Sequence, residues 1–162
     1  MKTTISIFSF LLSFSIIYSQ NGPIDFEQNG IGLNWTWTTF ENDNNPQLEI
    51  VPNPDISGVN TSATVAKFTA LQNGNPWAGF ESMHGSDIGS FSFDATNCTV
   101  KIMIWKSVIS DVGIKFVDAT SAAQPEIKTA NTLVNSWEEL TFDFSSRIGS
   151  FPIVKDQIVV FP

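Results

Sequence analysis

The chain is short of charge, of cysteine and of histidine. Only 15% of its 162 residues are charged, with 8 Lys or Arg against 16 Asp or Glu, a formal charge of -8. Eight basic residues that form no stripe cannot displace the counterions of a phosphate backbone, which excludes nucleic acid as a partner. The same balance disfavours an anionic membrane surface. One cysteine, Cys98, cannot close an internal disulfide. Its place ahead of the apolar run Val100–Ile104 predicts a buried free thiol. One histidine and one cysteine cannot supply the three or four ligands that zinc takes from proteins. Ser82 and Ser86 flank His84, but neither lies on the Gly-x-Ser-x-Gly turn that presents a nucleophilic serine. No stretch carries a long amphipathic helical period, and no exact repeat or low-complexity linker is present.

The longest apolar run, Ile5–Ile17, follows Lys2 and precedes the small residue of Ile17-Tyr18-Ser19. That order is the pattern of a cleaved export signal over residues 1–19. The run falls short of the ~20 residues of a membrane span, and polar sequence follows at once. No cysteine follows it to carry a lipid anchor. Residues 20–162 are then one secreted or cell-surface domain, long enough to bury a core without staples.

What the chain does have is aromatic and β-branched. Hydrophobic residues make up 42%, including 14 Phe and 5 Trp. About ten short segments have the two-residue alternation of strands and are separated by Gly, Pro and Asn turns. They are Ile24–Glu27, Asn34–Glu41, Leu48–Val51, Ala63–Leu71, Trp77–His84, Phe91–Asp94, Thr99–Ser107, Ser110–Asp118, Pro125–Ala130, Trp137–Phe144 and an incomplete one from Gln157. Along them Val112, Ile114 and Phe116, and Leu140, Phe142 and Phe144, are predicted to face inward. This is the signature of an all-β sandwich of jelly-roll type. The sequence stops within an apolar strand pattern, Ile158–Pro162, which predicts a sandwich lacking its final strand and a further domain downstream.

The stretch Asn75–Asp87 concentrates the chemistry: Trp77, Phe80, Glu81 and the lone His84. Aromatic faces beside a few polar groups suit a sugar ring, whose C–H face packs on an indole while its hydroxyls seek charged or amide partners. Period two assigns Trp105 to the outer face of its strand, because Ile102 and Ile104 must face the core. Lys106 follows it. Trp35 and Trp37 share one strand face, and Trp77 lies at a rim beside Pro76. The candidate ligand-binding set is therefore Trp35, Trp37, Trp77, Glu81, His84, Trp105 and Lys106, with Asn75 beside it. Trp137, next to Leu140 and Phe142, is predicted to be core. A glycosidase needs two carboxylates roughly 5–10 Å apart. The candidates Glu41 with Asp43, Glu81, and Glu138 with Glu139 form no clustered signature, and the last two point to opposite faces of one strand. Asp25 and Glu27, two residues apart, are candidate oxygen ligands for calcium. The glycosylation sequons at Asn34, Asn60 and Asn97 receive no function.

On these residues the chain resembles the β-sandwich carbohydrate-binding modules of secreted bacterial polysaccharide-degrading proteins, of the laminarinase-associated and surface glycan-binding type. The resemblance is carried by Pro23-Ile-Asp-Phe-Glu27, Thr38-Thr-Phe-Glu-Asn-Asp43, Pro76-Trp-Ala-Gly-Phe-Glu-Ser-Met-His-Gly85, Ile104-Trp-Lys-Ser-Val-Ile-Ser-Asp-Val-Gly-Ile-Lys115 and Trp137-Glu-Glu-Leu-Thr-Phe-Asp-Phe144. It implies a jelly roll, binding of a β-glucan-like polysaccharide without catalysis, and a structural calcium held by Asp25 or Glu27 together with an acidic residue of a last strand. Two other readings compete with it. One is a glycoside hydrolase or polysaccharide lyase on the same fold, with an acid and His84 converging in a cleft. The other is a structural or adhesion sandwich whose aromatics are all core.

Overall fold

A computed structural model describes residues 22–162, so the export signal lies outside the described residues. The fold is an all-β sandwich of antiparallel sheets. In chain order the strands are β1 (Thr38–Phe40), β2 (Glu49–Pro52), β3 (Thr64–Lys67), β4 (Gly79–Glu81), β5 (Thr99–Trp105), β6 (Asp111–Val117), β7 (Ile127–Ala130), β8 (Trp137–Asp143) and β9 (Gln157–Phe161). One layer is a five-stranded sheet in the order β1-β4-β9-β6-β7. The β5-β8 ribbon packs against it as the facing layer, and β2-β3 is a separate ribbon. β9, the last strand of the sequence, lies inside the large sheet, paired on both sides with β4 and β6.

Alternation decides which side chains meet between the layers. Phe80, Val112, Ile114, Phe116, Ile158 and Val160 face inward from the large sheet and join Leu140, Phe142 and Phe144 in one buried cluster. Aromatic geometry knits it together: Phe93 stacks on Phe144 with centroids 4.9 Å apart, and Phe91 meets Phe116 edge-on at 5.2 Å. Pairs of this kind contribute about 0.5–1.5 kcal/mol beyond area burial. Cys98 is half-buried and unpaired, packed against this cluster.

The expected strand at Ile24–Glu27 is a loop. Phe26 has φ 57°, outside strand geometry. The Asp25 carboxylate accepts the backbone N–H groups of Glu27 (3.1 Å) and Ile31 (3.0 Å), folding the segment onto itself. Only Ile24 forms a bridge, parallel to Ile31. The expected Phe91–Asp94 strand is likewise a single bridge, Phe91 to Lys155.

Buried amides tie the loops to the strands. The Asn42 side chain donates to the Thr69 carbonyl and accepts from Leu71 N–H, both at 2.8 Å. Asn131 accepts from Ser110 N–H and donates to the Val108 and Leu133 carbonyls. Lys155 is the odd member of the interior. It is 1% exposed, donates to the Ile153 carbonyl at 2.9 Å and lies 4.6 Å from the Phe93 ring centroid. Burial lowers its ammonium pKa. A lowered lysine pKa means the native state sheds its proton first, so this group's contribution to stability rises with pH up to the ordinary value of 10.5. We expect Lys155→Met to raise the urea midpoint at pH 7, because a flexible apolar chain replaces a desolvated charge with no carboxylate partner. The gain should shrink towards alkaline pH.

Candidate functional site

The predicted site residues fall in three places. Trp35 and Trp37 sit at one end of the core. Trp37 meets Phe80 edge-on at 5.6 Å, and its indole N–H donates to the Gly32 carbonyl at 2.8 Å. Trp35 lies over Trp37, with centroids 5.5 Å apart. Thr39 is buried in register with Phe80. Trp35 and Trp37 precede β1, so the strand face predicted for them does not form; Trp37 packs against the core beside buried Thr39, and Trp35 reaches it through Trp37.

The second place is the outer face of the large sheet. Glu81, Val159 and Lys115 stand side by side across β4, β9 and β6. Burial raises the Glu81 carboxyl above its ordinary 4.5, while the charges of His84 and Lys115 pull it back. His84 Nδ1 lies 2.8 Å from Asp156 Oδ1, and Asp156 is only 6% exposed. The buried carboxylate orients the imidazole and leaves its other nitrogen unconstrained by this contact. Beside the pair is a depression of 210 Å³, lined by residues including Ser90, Asp118, Thr120 and Asp156. Asp118 is held below the usual carboxylate range, first by the Thr120 hydroxyl, with a smaller contribution from His84. Phe161 and Phe40 meet edge-on at 5.7 Å on the same outer face, and Lys115 Nζ stands 5.3 Å from the Phe161 ring centroid. Gly79 makes room for this pair, since a Cβ there would run into the Phe40 ring and the Val160 carbonyl. Trp77 is 58% exposed just ahead of β4. Asn75 donates to Glu41 at 2.6 Å.

Glu81 carries a pH signature. Its raised pKa lets the native state hold a proton that the unfolded chain releases near 4.5. Its stabilising contribution is therefore complete below that value and is lost as pH rises through the raised one. We expect the stability of the wild type relative to Glu81→Gln to fall as pH rises above the ordinary 4.5. Denaturant melts at several pH values measure this; a flat difference would show a carboxyl with no net burial penalty.

The third place is the outer face of the β5-β8 ribbon. Trp105 pairs directly across from Trp137, with ring centroids 5.8 Å apart in an edge-to-face arrangement. Both are half-buried. On the same face follow Met103 opposite Glu139 and Lys101 opposite Thr141. Lys101 and Glu139 form an ion pair at 2.7 Å. The Trp137 indole N–H donates to Asn53 Oδ1 at 2.9 Å, which fixes the ring against the loop after β2. Lys106 closes the strand. Its amine reaches the Asp111 carbonyl at 3.4 Å, and burial lowers its pKa against the opposing pull of Asp111.

Trp137 is thus a surface partner of Trp105 and not a core residue. The signal was available: Trp137 is odd-numbered, while the inward residues of its strand, Leu140 and Phe142, are even. Asp156 and Lys115 were also missed, since nothing in sequence links either to His84 or Glu81 before the sheet is assembled.

The remaining carboxylates stay apart. Glu138 accepts from the Thr132 and Leu133 N–H groups, and Glu139 is paired with Lys101. The Asp25 carboxylate serves its own loop, and Glu27 accepts from the N–H of Thr64 at 3.2 Å. Among the described residues no group of three His, Cys, Asp or Glu is assembled that could hold a metal ion. A hard cation at Asp25 and Glu27 would draw its charge compensation from those two carboxylates and the rest of its ligands from backbone oxygens. Also among the described residues, no helix is long and apolar enough to cross a membrane. Comparison of the chain with family models, with curated proteins and with solved structures finds no match.

Proposed function

We propose that the protein is a secreted, non-catalytic module that binds a β-glucan-like polysaccharide through the Trp105–Trp137 face, and that it serves to hold an enzyme or cell-surface system on the glycan. The supporting observation is the pair of indoles on one open sheet face, 5.8 Å apart and bordered by the Lys101–Glu139 ion pair. Set edge-to-face, the two rings form an angled apolar corner in which a sugar C–H face packs on one indole beside the other, and the flanking charges offer partners for hydroxyl groups. Calcium at Asp25 and Glu27 belongs to the same proposal and would act structurally. The test is retention of the purified protein on insoluble β-glucan, with Trp105→Ala alongside. Retention by the wild type and its loss in the variant supports the reading. No retention on any glycan by a folded protein removes it in favour of a structural or adhesion role.

One observation favours a second reading. Glu81, whose carboxyl pKa burial raises, lies close enough to His84, itself paired with Asp156, to feel the imidazole's charge. A carboxyl tuned upward beside an oriented imidazole is what acid–base cleavage of a glycosidic bond uses. New reducing ends or unsaturated products from a polysaccharide, abolished in Glu81→Gln, would establish a hydrolase or lyase.

A further inference from the structure

The two layers of the sandwich are not equally closed. In the large sheet β9 is paired on both sides, and the inward residues of β6 and β9 are buried. In the second layer β5 has β8 on one side and, among the described residues, no strand paired on the other, whereas β8 is approached by β7, with Thr129 Oγ1 at 3.5 Å from the Thr141 carbonyl. Burial follows this asymmetry. Val100 and Ile102 face inward from β5 and are only half-buried, while the residues directly across the ladder, Phe142 and Leu140, are 0% and 4% exposed. Ile104 is half-buried too. Water therefore reaches the core along the free edge of β5. That edge presents unpaired N–H and C=O groups with an apolar side chain at every second position. The group that satisfies both is another β-strand with the same alternation.

We propose that this strand is β5 of a second copy of the chain, paired antiparallel about Ile102, so that two β5-β8 ribbons join into one four-stranded sheet. The chemistry of β5 is the same read in either direction. Turned about Ile102, it sets Ile102 against Ile102 of the second copy and Val100 against Ile104. On the outer face Lys101 meets Met103 and Thr99 meets Trp105. No like charges face each other, and each Lys101 is already neutralised by Glu139 of its own ribbon. In a chain of net charge -8, Thr99–Trp105 contains one lysine and no carboxylate, so two copies can approach here without acidic repulsion. β5 has no proline, no bulge and no inward charge, and its one edge lysine, Lys101, is already paired with Glu139 of the same ribbon. The contact is isologous, and it closes at two copies. It does not depend on what the outer face binds.

The test is the mass of the protein in solution by sedimentation equilibrium over a range of concentrations. The expected result is the mass of two chains at high concentration. Ile104→Lys, an inward charge on the edge, should give the mass of one chain with an unchanged far-ultraviolet circular dichroism spectrum. Ile104→Val should keep the mass of two. The register is read independently. In a Cys98→Ser background, Ile102→Cys should form a disulfide between position 102 of the two copies under mild oxidation, found by mass spectrometry after digestion. A single-chain mass at every concentration overturns the proposal. So does a dimer that persists in a natively folded Ile104→Lys, or one that fails to cross-link through position 102.

Discussion

Replacing Gln124 by Leu should lower the stability of the protein by about 3 kcal/mol, a large share of the roughly 5–15 kcal/mol that holds a domain of this size together. Gln124 is 2% exposed. Its Nε2 donates towards three backbone carbonyls, those of Arg147 (3.3 Å), Ser150 (3.0 Å) and Pro152 (3.2 Å). An amide nitrogen has two hydrogens, so one of the three contacts is shared. The orientation of the amide is dictated by its surroundings: turned over, its oxygen would face three other oxygens. Leucine fills the space and leaves at least two of these carbonyls without their donor, at about 1–3 kcal/mol each. The measurement is a urea titration, in which the midpoint should fall with an unchanged slope. Gln124→Glu should be worse at neutral pH despite its matched shape, because a carboxylate would replace the donor against the same carbonyls. Acid should relieve that excess, since a protonated carboxyl regains a donor. A Leu variant within about 0.5 kcal/mol of the wild type, the range of ordinary surface substitutions, would show that water serves these carbonyls.

The same residue marks the limit of what the sequence could disclose. Asn and Gln read as surface-filling polar residues in a chain with few charges, yet Asn42, Asn53, Asn60, Asn131 and Gln124 are all buried. Each closes a turn of backbone that has no ladder partner, so their burial satisfies the loops rather than exposing them. Nothing local separates them from exposed Asn44 or Asn73, because a deciding partner can lie far along the chain, as when Asn53 accepts from the indole of Trp137 at the start of β8.

Period two was far more legible. β6 and β8 have their inward residues where alternation puts them: Val112, Ile114 and Phe116 in one, Leu140 and Phe142 in the other. Trp105 was assigned outward by the same rule and lies outward. Strand lengths were less legible. The long pattern around Trp37 shortens to Thr38–Phe40: ahead of it the Trp35 N–H closes a turn on the Gly32 carbonyl, and behind it Glu41 has positive φ and the Asn42–Asn45 turn follows. Trp77–His84 shortens to Gly79–Glu81 because Ser82 continues the pairing through its hydroxyl, which accepts from Ile158 N–H at 3.2 Å. Of the candidate site, single residues could be named from sequence, but not their grouping. Which tryptophans share a face depends on the Trp105–Trp137 register, and the His84–Asp156 pair spans 72 residues.

On the proposed reading, the largest functional effect belongs to the Trp105–Trp137 face. Stacking of a planar ring on an aromatic side chain is worth about 1–3 kcal/mol in comparable recognition, so Trp105→Ala should weaken glycan binding by roughly 5- to 150-fold. Trp137→Ala should do the same with an added structural cost, because its indole N–H is the partner of Asn53 Oδ1. Trp137→Phe separates the two contributions: the ring stays and the N–H is lost, so stability should drop while most of the affinity remains. Removing both rings should abolish retention. Trp37→Phe provides the contrast, because that indole is spent on the Gly32 carbonyl and on Phe80, and the cost should appear in the melting midpoint instead of the isotherm. Titration of each folded variant with a soluble β-glucan, with denaturation measured in parallel, places the site. Affinity that survives the double tryptophan variant and falls in Glu81→Gln or His84→Ala moves the ligand to the outer face of the large sheet, beside Lys115 and Phe161.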